Sequence, residues 1–512
     1  MISSSNRIKV TLISPYQSID LIGLRIISSY LKQHGHDANI LFLNLPDSSF
    51  SNAYSEQVVT DVVNLCKGSD LIGISLMTNY FVRVKDLTSR IKEKTKIPII
   101  WGGIHPTIRP DECIQCADMV CIGEGEDAIL ELADKLKAGT GENIKNIWFR
   151  KNGHIIKNEL RPLEQDLDKF PLPDYDIKDH YILEADRVVR MSETHLRQAT
   201  RLSGASQKPL FEYTVLTTRN CPHSCSYCCN NALRKIYGEK VSLVRKRSVD
   251  NVVKELEFIK KRFGFIQSVL ITDETFFIRN NSEIKEFCDK YKARINLPMA
   301  CNASPLEINE SKFDMMTDAG LHFVYIGIQS YNQQTLLDLF RRRTSKEVIL
   351  SGVKTLEKYK EKIPHPQYLF IIDNPFETKG SLYDTVRFIA SLPEGATIVL
   401  YPLVLFPGTE LYERAKKSGL VNDEIQDIYL KNWGMDDVRR LDFLTRVLYF
   451  HQYIRAVNVN SGSLAARMIL KCRKTVLFYG FYGFYYLIVN VITVKRAKRF
   501  LSLLGLRKYE KN

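Results

Sequence analysis

Three cysteines stand close together near the middle of the chain. Cys221, Cys225 and Cys228 lie in the run TTRNCPHSCSYCCNN, which follows the apolar, strand-like segment Tyr213–Thr217. Three thiolates at C-x3-C-x2-C spacing on one loop can hold three irons of a [4Fe–4S] cube. No fourth cysteine stands at matching spacing, so one iron would be open to a substrate or cofactor. Zinc is the competing metal, but its sites usually pair two CxxC units or add histidines at a set distance. His223 lies inside the loop, and no second pair follows. Cys229, directly after Cys228, is read as a bystander.

A loop of this kind needs a scaffold, and from Phe211 onward the pattern supplies one. Strand-like segments fall at Tyr213–Thr217, Gln267–Ile271, Pro298–Asn302, Phe323–Ile328, Gln367–Ile372 and Ala396–Pro402. Helical spacing fills the gaps, as at Val249–Phe263, Ser282–Tyr291 and Ser345–Tyr359. Six βα units predict a partial (β/α)6 barrel with its site at the C-terminal ends of the strands.

The first 140 residues alternate in the same way. Strands are predicted at Ile8–Ser14, Ala38–Leu43, Leu71–Met77, Ile97–Trp101 and Met119–Ile122, with helices between them. Apolar strands alternating with amphipathic helices predict a doubly wound parallel sheet covered on both faces. Such sheets bind ligands at the carboxyl ends of their strands, where Gly102-Gly103 and Gly123-Glu124-Gly125 fall. Between the two βα regions, Asn152-Gly153 reads as a hairpin turn, Leu167–Asp176 as a linker, and Arg187–Lys208 as a polar loop. The expected division is 1–140, 141–210 (hairpin and linker), 211–415 (barrel) and 416–512 (a helical C-terminal region). A chain of 512 residues is long enough for two to four domains.

The cysteine loop resembles the signature of the radical S-adenosylmethionine (SAM) superfamily. The resemblance implies that SAM chelates the open iron and is cleaved by an electron from the cluster to methionine and a 5′-deoxyadenosyl radical. Tyr227 matches the aromatic position that lies near the adenine in that family. Thr272-Asp273-Glu274-Thr275-Phe276 follows the second barrel strand, where the family places polar groups for the amino group of SAM; a helix N-cap is the plainer reading. Gly327-Ile328-Gln329-Ser330 is similar to a GIES segment, with Gln329 in place of the usual Glu. Pro375-Phe376-Glu377-Thr378 is similar to PGET, and Pro407-Gly408-Thr409-Glu410-Leu411 to PGT-x-L; both read as structural turns.

The first 140 residues resemble the cobalamin-binding domain that precedes many radical SAM barrels. Ser75 and Thr78 match its nucleotide-loop positions, as do Gly102 and Gly103 in Trp101-Gly102-Gly103-Ile104-His105-Pro106-Thr107; Gly123 and Glu124 match the next loop. Small residues at such positions let a buried ligand tail approach the backbone. The loop after the first strand, Ser14–Gly23, has no histidine, so the D-x-H-x-x-G motif of adenosylcobalamin mutases is absent. The resemblance then implies base-off cobalamin with no histidine on cobalt, and His105 is read as a loop residue rather than an axial ligand.

Charge adds a separate signal. Of the formal net charge of +14, the segment 471–512 carries +9, from ten Lys and Arg against one Glu. A basic tail points to an anionic surface, membrane or nucleic acid. Within it, residues 475–494 form an uncharged run that could lie in a membrane interface, pack against the barrel or span a bilayer; four tyrosines, two glycines and basic flanks on both sides suit the interface best. No RNA-binding module accompanies the tail, so nucleic acid is not expected as a partner. The opening residues lack a charged stretch followed by a long apolar one, so no secretory signal is read. A cytoplasmic location, peripheral on the inner membrane face, and cysteines without disulfides are therefore expected.

Together the resemblances imply a cobalamin-dependent radical SAM enzyme with a [4Fe–4S] cluster, most simply a methyltransferase acting on an unactivated carbon. It is expected to take electrons from a flavodoxin- or ferredoxin-type reductant and to act on a small, lipid-like substrate. The alternatives are a radical SAM enzyme without cobalamin, a ring-forming or oxidising relative, and a membrane-associated iron–sulfur electron carrier or sensor.

Overall fold

The computed structural model describes residues 7–45, 53–138, 141–202, 210–238, 244–431, 448, 451–452, 455 and 464–471. The basic tail beyond Lys471, with its uncharged run at 475–494, lies outside the described residues. Among those described, no helix is long and apolar enough to cross a membrane. The chain divides into two compact units, neither of them a single run: Met1–Ala199 with His223–Arg247 and Val404–Asn432, and Thr200–Pro222 with Ser248–Leu403 and Trp433–Asn512.

The first unit is built on β1 (Lys9–Ser14), α1 (Ile22–Gln33), β2 (Asp37–Phe42), α2 (Glu56–Cys66), β3 (Leu71–Ser75), α3 (Phe81–Lys94), β4 (Ile99–Gly102), two short helices α4 (Ile104–Ile108) and α5 (Pro110–Cys113), β5 (Met119–Cys121) and α6 (Glu126–Ala138). The strands read KVTLIS, LIGIS and IIWG, apolar in succession rather than alternately, because helices bury both faces of a parallel sheet. Strand order runs β5-β4-β3-β1-β2, so the winding reverses between β1 and β3. In open sheets of this kind the crevice beyond the reversal is where ligands bind. Trp101 is fully buried, and its indole N–H donates to Thr88 Oγ1 at 3.0 Å.

Residues 147–199 extend this sheet at both edges. β6 (Ile147–Lys151) and β7 (His154–Ile156) form an antiparallel hairpin beside β5. Asn152 and Gly153, at φ 50° and 79°, make its turn, the left-handed pair that a two-residue hairpin needs. β8 (His180–Glu184) pairs with β2 and turns back into β9 (Arg187–Arg190), which α7 (Glu193–Ala199) follows. The stretch from Arg187, expected as a polar loop, is therefore ordered structure to Ala199: its charged residues line an outer strand and a surface helix. The linker before β8 is pinned by Asp174, which is 6 % exposed. Its carboxylate accepts from Ser28 Oγ at 2.6 Å and pairs with Lys32 Nζ at 2.9 Å, while its carbonyl accepts from the buried Arg25 at 2.7 Å.

The second unit holds β10 (Arg201–Leu202), β11 (Leu210–Val215) and β12 (Thr218–Arg219). The chain returns to the first unit for α8 (Cys229–Tyr237) and β13 (Arg245–Lys246), then builds α9 (Val249–Arg262), β14 (Ser268–Ile271), α10 (Asn281–Arg294), β15 (Met299–Ala303), α11 (Glu310–Asp318), β16 (Leu321–Gln329), α12 (Lys346–Lys358), β17 (Gln367–Ile372), α13 (Lys379–Ser391) and β18 (Thr397–Pro402). α14 (Glu410–Lys417) belongs to the first unit again. The sheet runs β11-β14-β15-β16-β17-β18, all parallel, with β10 antiparallel on β11: the half-barrel expected from the six βα units. Burial alternates along β17, Tyr368, Phe370 and Ile372 being buried and the residues between them half-buried. One face is sealed by helices, and the other is the open concave side.

The helices begin where the sequence supplies caps. Ser248, Asn280, Ser345 and Thr378 each accept a first-turn N–H at the start of α9, α10, α12 and α13. Arg455, fully buried, ties a described residue of the C-terminal region to the base of the half-barrel. Its guanidinium donates to the carbonyls of Ile389, Leu392, Pro393 and Ala396 at 2.7–3.1 Å.

Candidate functional site

The cysteine loop begins just beyond β11 and ends on α8. Cys225 is buried, Cys221, Cys228 and Tyr227 are half-buried, and none of the described cysteines forms a disulfide. Cys221 falls with the second unit, and Cys225 and Cys228 with the first. Asn220, before the first cysteine, has φ 66°; Asn tolerates this left-handed turn better than most residues. The Cys228 N–H donates to the Cys225 carbonyl at 3.1 Å, closing a tight turn. Cys228 then serves as the extended N-cap residue of α8, and Asn230 Nδ2 donates to its sulfur at 3.8 Å. Among the described residues, no three His, Cys, Asp or Glu side chains are already gathered as a metal site. The donor set nevertheless fits a cluster: three thiols within eight residues, one at a helix N-terminus.

Asp273, matched by sequence to a SAM-binding position, sits at the carboxyl end of β14 and is fully buried. Its carboxylate accepts the N–H of Thr217 at 2.6 Å, the N–H of Thr218 at 3.0 Å and the Thr217 hydroxyl at 2.5 Å. Burial pushes this carboxyl above its usual range, while the bonds from Thr217 and Thr218 and the charge of Arg279 oppose that shift. Arg279, 2 % exposed, donates to the Thr217 carbonyl at 3.2 Å and to its hydroxyl at 3.3 Å. Asn302 Nδ2, from β15, donates to the Asp273 carbonyl at 3.2 Å. These groups clamp the backbone four residues before Cys221. Glu274, by contrast, is exposed. Nothing in the sequence marks Thr217 or Arg279.

Two further strand ends carry strained backbone. Gln329, closing β16, has φ 71°, and Asp373, just past β17, has φ 55°. Non-glycine residues in this region cost ~1–3 kcal/mol and concentrate at functional sites. The Gln329 amide folds back over Gly327, where an added Cβ would lie 2.8 Å from Nε2. Arg342 donates to the Gly327 carbonyl at 2.7 Å and to Ser304 Oγ at 3.3 Å. Ser330, next to Gln329, donates to Glu377 at 3.3 Å, which joins the GIQS and PFET segments. Thr378 and Thr409 are helix N-caps, as turn residues should be.

Three matched segments converge in the first unit. Gly408, at φ 79°, packs so closely that an added Cβ would lie 2.3 Å from Ile108 Cγ2 and 3.5 Å from Ala232 Cβ. Ile108 ends α4, Ala232 lies on α8, and three residues after Gly408 the Leu411 N–H donates to the Ser226 carbonyl at 2.9 Å. The helix α4 that continues the GGIHPT segment, the helix after the cysteines and the PGT-x-L turn thus share one contact.

The residues matched to cobalamin stand at the carboxyl ends of adjacent strands. Ser75 ends β3, Gly102 ends β4, and Gly123 lies two residues past β5. Gly103, at φ 97°, would place a Cβ 2.9 Å from the Leu76 carbonyl and 3.0 Å from Ser75 Oγ. Thr78 Oγ1 lies 3.1 Å from His105 Nδ1. His105 is 1 % exposed and packs edge-on against Phe81 and Tyr429, and burial, reinforced by Arg109, pushes its pKa down to about 3. It is a neutral core residue of the loop. Ser75 and Gly102, small and half-buried at the ends of β3 and β4 beside the β1/β3 reversal, fit a ligand that approaches the backbone. At Gly123 and Glu124 the chain supplies its own partners. Tyr237 covers Gly123, and Arg245 forks onto the Glu124 carboxylate at 2.7 and 2.8 Å.

Fold and site together define a class. The B12 binding domain family matches residues 8–133, and the Radical SAM superfamily matches residues 215–389. This chain is a radical SAM enzyme with a B12-binding domain, and its cofactors are a [4Fe–4S] cluster, SAM and cobalamin. It is 26% identical over 411 residues to an uncharacterized methyltransferase of Pyrococcus horikoshii, covering 78% of this chain and 79% of that one. It is 23% identical over 380 residues to bacteriochlorophyllide d C-8(2)-methyltransferase of Chlorobaculum tepidum, covering 72% and 73%. Among solved structures, the radical SAM methyltransferase TsrM of Kitasatospora setae, with tryptophan and a SAM analog bound, shares the fold at TM-score 0.60 and 17% identity over 81% of this chain and 77% of that one. The cobalamin-dependent radical enzyme OxsB, with aqua-cobalamin bound, does so at TM-score 0.63 and 15% identity over 91% and 75%.

Proposed function

We propose that the chain transfers a methyl group to an unactivated carbon of a small molecule, with SAM cleavage in the barrel at 211–415 and cobalamin carried by residues 1–140. The observation that supports this most directly is the C-x3-C-x2-C loop that follows, in sequence, the first strand of a six-stranded parallel half-barrel, in a chain that also has small, hydroxyl-bearing strand ends beside the reversal of a doubly wound sheet. The methyltransferase names of both curated relatives point the same way. When bound, the cluster supplies the electron that cleaves SAM, and cobalamin supplies the methyl carrier.

The chain's own residues hold and orient these groups. Cys221, Cys225 and Cys228 ligate three irons. Asp273 and Arg279 fix the approach to Cys221. By the family resemblance, Tyr227 would meet the adenine and Gln329, a neutral hydrogen-bonding group, would bind the amino acid end of SAM. Ser75, Thr78, Gly102 and Gly103 receive the cobalamin tail, and Gly123 and Glu124 border it. The electron comes from a flavodoxin- or ferredoxin-type donor. The basic, apolar tail at 471–512 supports a lipid-like substrate and a peripheral membrane contact.

The test is anaerobic incubation of reconstituted enzyme with SAM and dithionite, with 5′-deoxyadenosine and methionine quantified. Both products are expected from the wild type and neither from Cys221→Ala. Cleavage that persists in Cys221→Ala would refute the cluster assignment.

A further inference from the structure

α8 reaches from the cluster loop to the other cofactor's loop. Its first residue follows Cys228, and its last, Tyr237, sets its hydroxyl over Gly123. A Cβ on Gly123 would lie 2.0 Å from that oxygen, and the Glu124 N–H donates to it at 3.3 Å. Eight residues further on, Arg245 is 1 % exposed; it forks onto the Glu124 carboxylate and donates to the Glu164 carbonyl at 2.9 Å. The loop it grips is tied in turn to the GGIHPT segment, since the Gly123 N–H donates to Thr107 Oγ1 at 2.9 Å. A nine-residue helix is ~13 Å long and stiff along its axis.

We propose that α8 is a strut that couples cluster assembly to cobalamin binding, with Tyr237 and Arg245 as its positioning residues. The proposal rests on the assignment of the Gly123–Glu124 loop to cobalamin made above. With Cys225 and Cys228 ligated, the start of α8 is fixed, and Tyr237 and Arg245 hold Gly123 and Glu124 in place. Cobalamin then meets a loop that no longer has to be ordered, and binds more tightly. The coupling is reciprocal, so bound cobalamin favours cluster binding at the cysteine loop by the same factor.

The test is anaerobic titration of the full-length protein with hydroxocobalamin, before and after cluster reconstitution, in the wild type, Tyr237→Phe and Arg245→Lys. Iron content and the EPR spectrum of the reduced cluster are recorded alongside. Arg245→Lys keeps the charge and loses the two-pronged geometry. The wild type is expected to bind cobalamin about 10-fold more tightly with the cluster present. Both variants are expected to load both cofactors, with that ratio reduced to within about two-fold of unity. A wild-type ratio of one, or a ratio unchanged in the variants, overturns the strut and leaves the cofactor assignments standing. Failure of the wild type to bind cobalamin at all overturns the assignment beneath it. Should Arg245→Lys not fold, Tyr237→Phe, which removes a single oxygen, carries the comparison.

Discussion

The buried carboxylate of Asp273 receives the backbone N–H groups of both Thr217 and Thr218, across 56 and 55 residues of sequence. That bond pair, with Arg279 on the Thr217 carbonyl, sets where the chain leaves β11 and where Cys221 begins its loop. Replacing Asp273 by Ala strands the buried N–H groups of Thr217 and Thr218 and the Thr217 hydroxyl. The expected cost is about 3 kcal/mol of stability, together with loss of most cluster iron after reconstitution. Asp273→Asn keeps an acceptor oxygen and should retain more than half of the iron. Iron analysis and denaturant titration decide this; an Ala variant with full iron and unchanged stability would remove Asp273 from the clamp.

Gly408 is a packing requirement rather than a ligand. Gly408→Ala forces a Cβ against Ile108 in a backbone conformation that disfavours side chains. The expected loss is about 2–4 kcal/mol, seen as a lower denaturation midpoint at unchanged slope. A midpoint like that of the wild type would show that α4 and α8 give way freely.

How much of this was legible in the sequence depends on range. The parallel strands of the first sheet could be read because a sheet buried on both faces demands runs such as LIGIS and IIWG. The cysteine loop could be read because its spacing is the chemistry. The partners of the matched residues could not. Asp273 reads as a SAM contact or a cap, yet its oxygens are taken up by Thr217 and Thr218. Glu124 reads as a loop residue near a cofactor, yet it meets Arg245 across 121 positions. Polar pairs this far apart leave no periodicity. The extension of the first sheet by β9 was hidden for a related reason: Arg187 and Arg190 at its ends, typical of an outer strand, read as part of a polar loop.

His105 makes stability pH-dependent. Buried and neutral, with its pKa pushed down to about 3, it must take up a proton on unfolding below its ordinary pKa near 6.5. Its contribution is therefore whole above about pH 6.5 and is lost as pH falls toward 3. At pH 5 the loss should be about 2 kcal/mol relative to pH 7.5. In His105→Gln that part of the slope should vanish, as read from denaturant midpoints across this range. An identical slope in the variant would place the titration elsewhere.

Gln329 occupies a position where the wider superfamily places Glu. Gln329→Glu adds a charge facing the proposed SAM amino group, and a charge-assisted hydrogen bond gains roughly 1 kcal/mol over a neutral one. SAM should bind about five-fold more tightly, as measured by SAM titration of the reduced cluster's EPR signal. Unchanged or weaker binding would place Gln329 away from the SAM amino group.

The central claim is that one chain holds two cofactors. It is tested most directly by anaerobic reconstitution with iron, sulfide and hydroxocobalamin, followed by desalting and an optical spectrum. The expected spectrum shows base-off cobalamin at about one per chain, beside cluster absorption that disappears in the Cys221/Cys225/Cys228 triple alanine variant. A cluster without retained cobalamin would contradict the claim and leave the first unit without its proposed role.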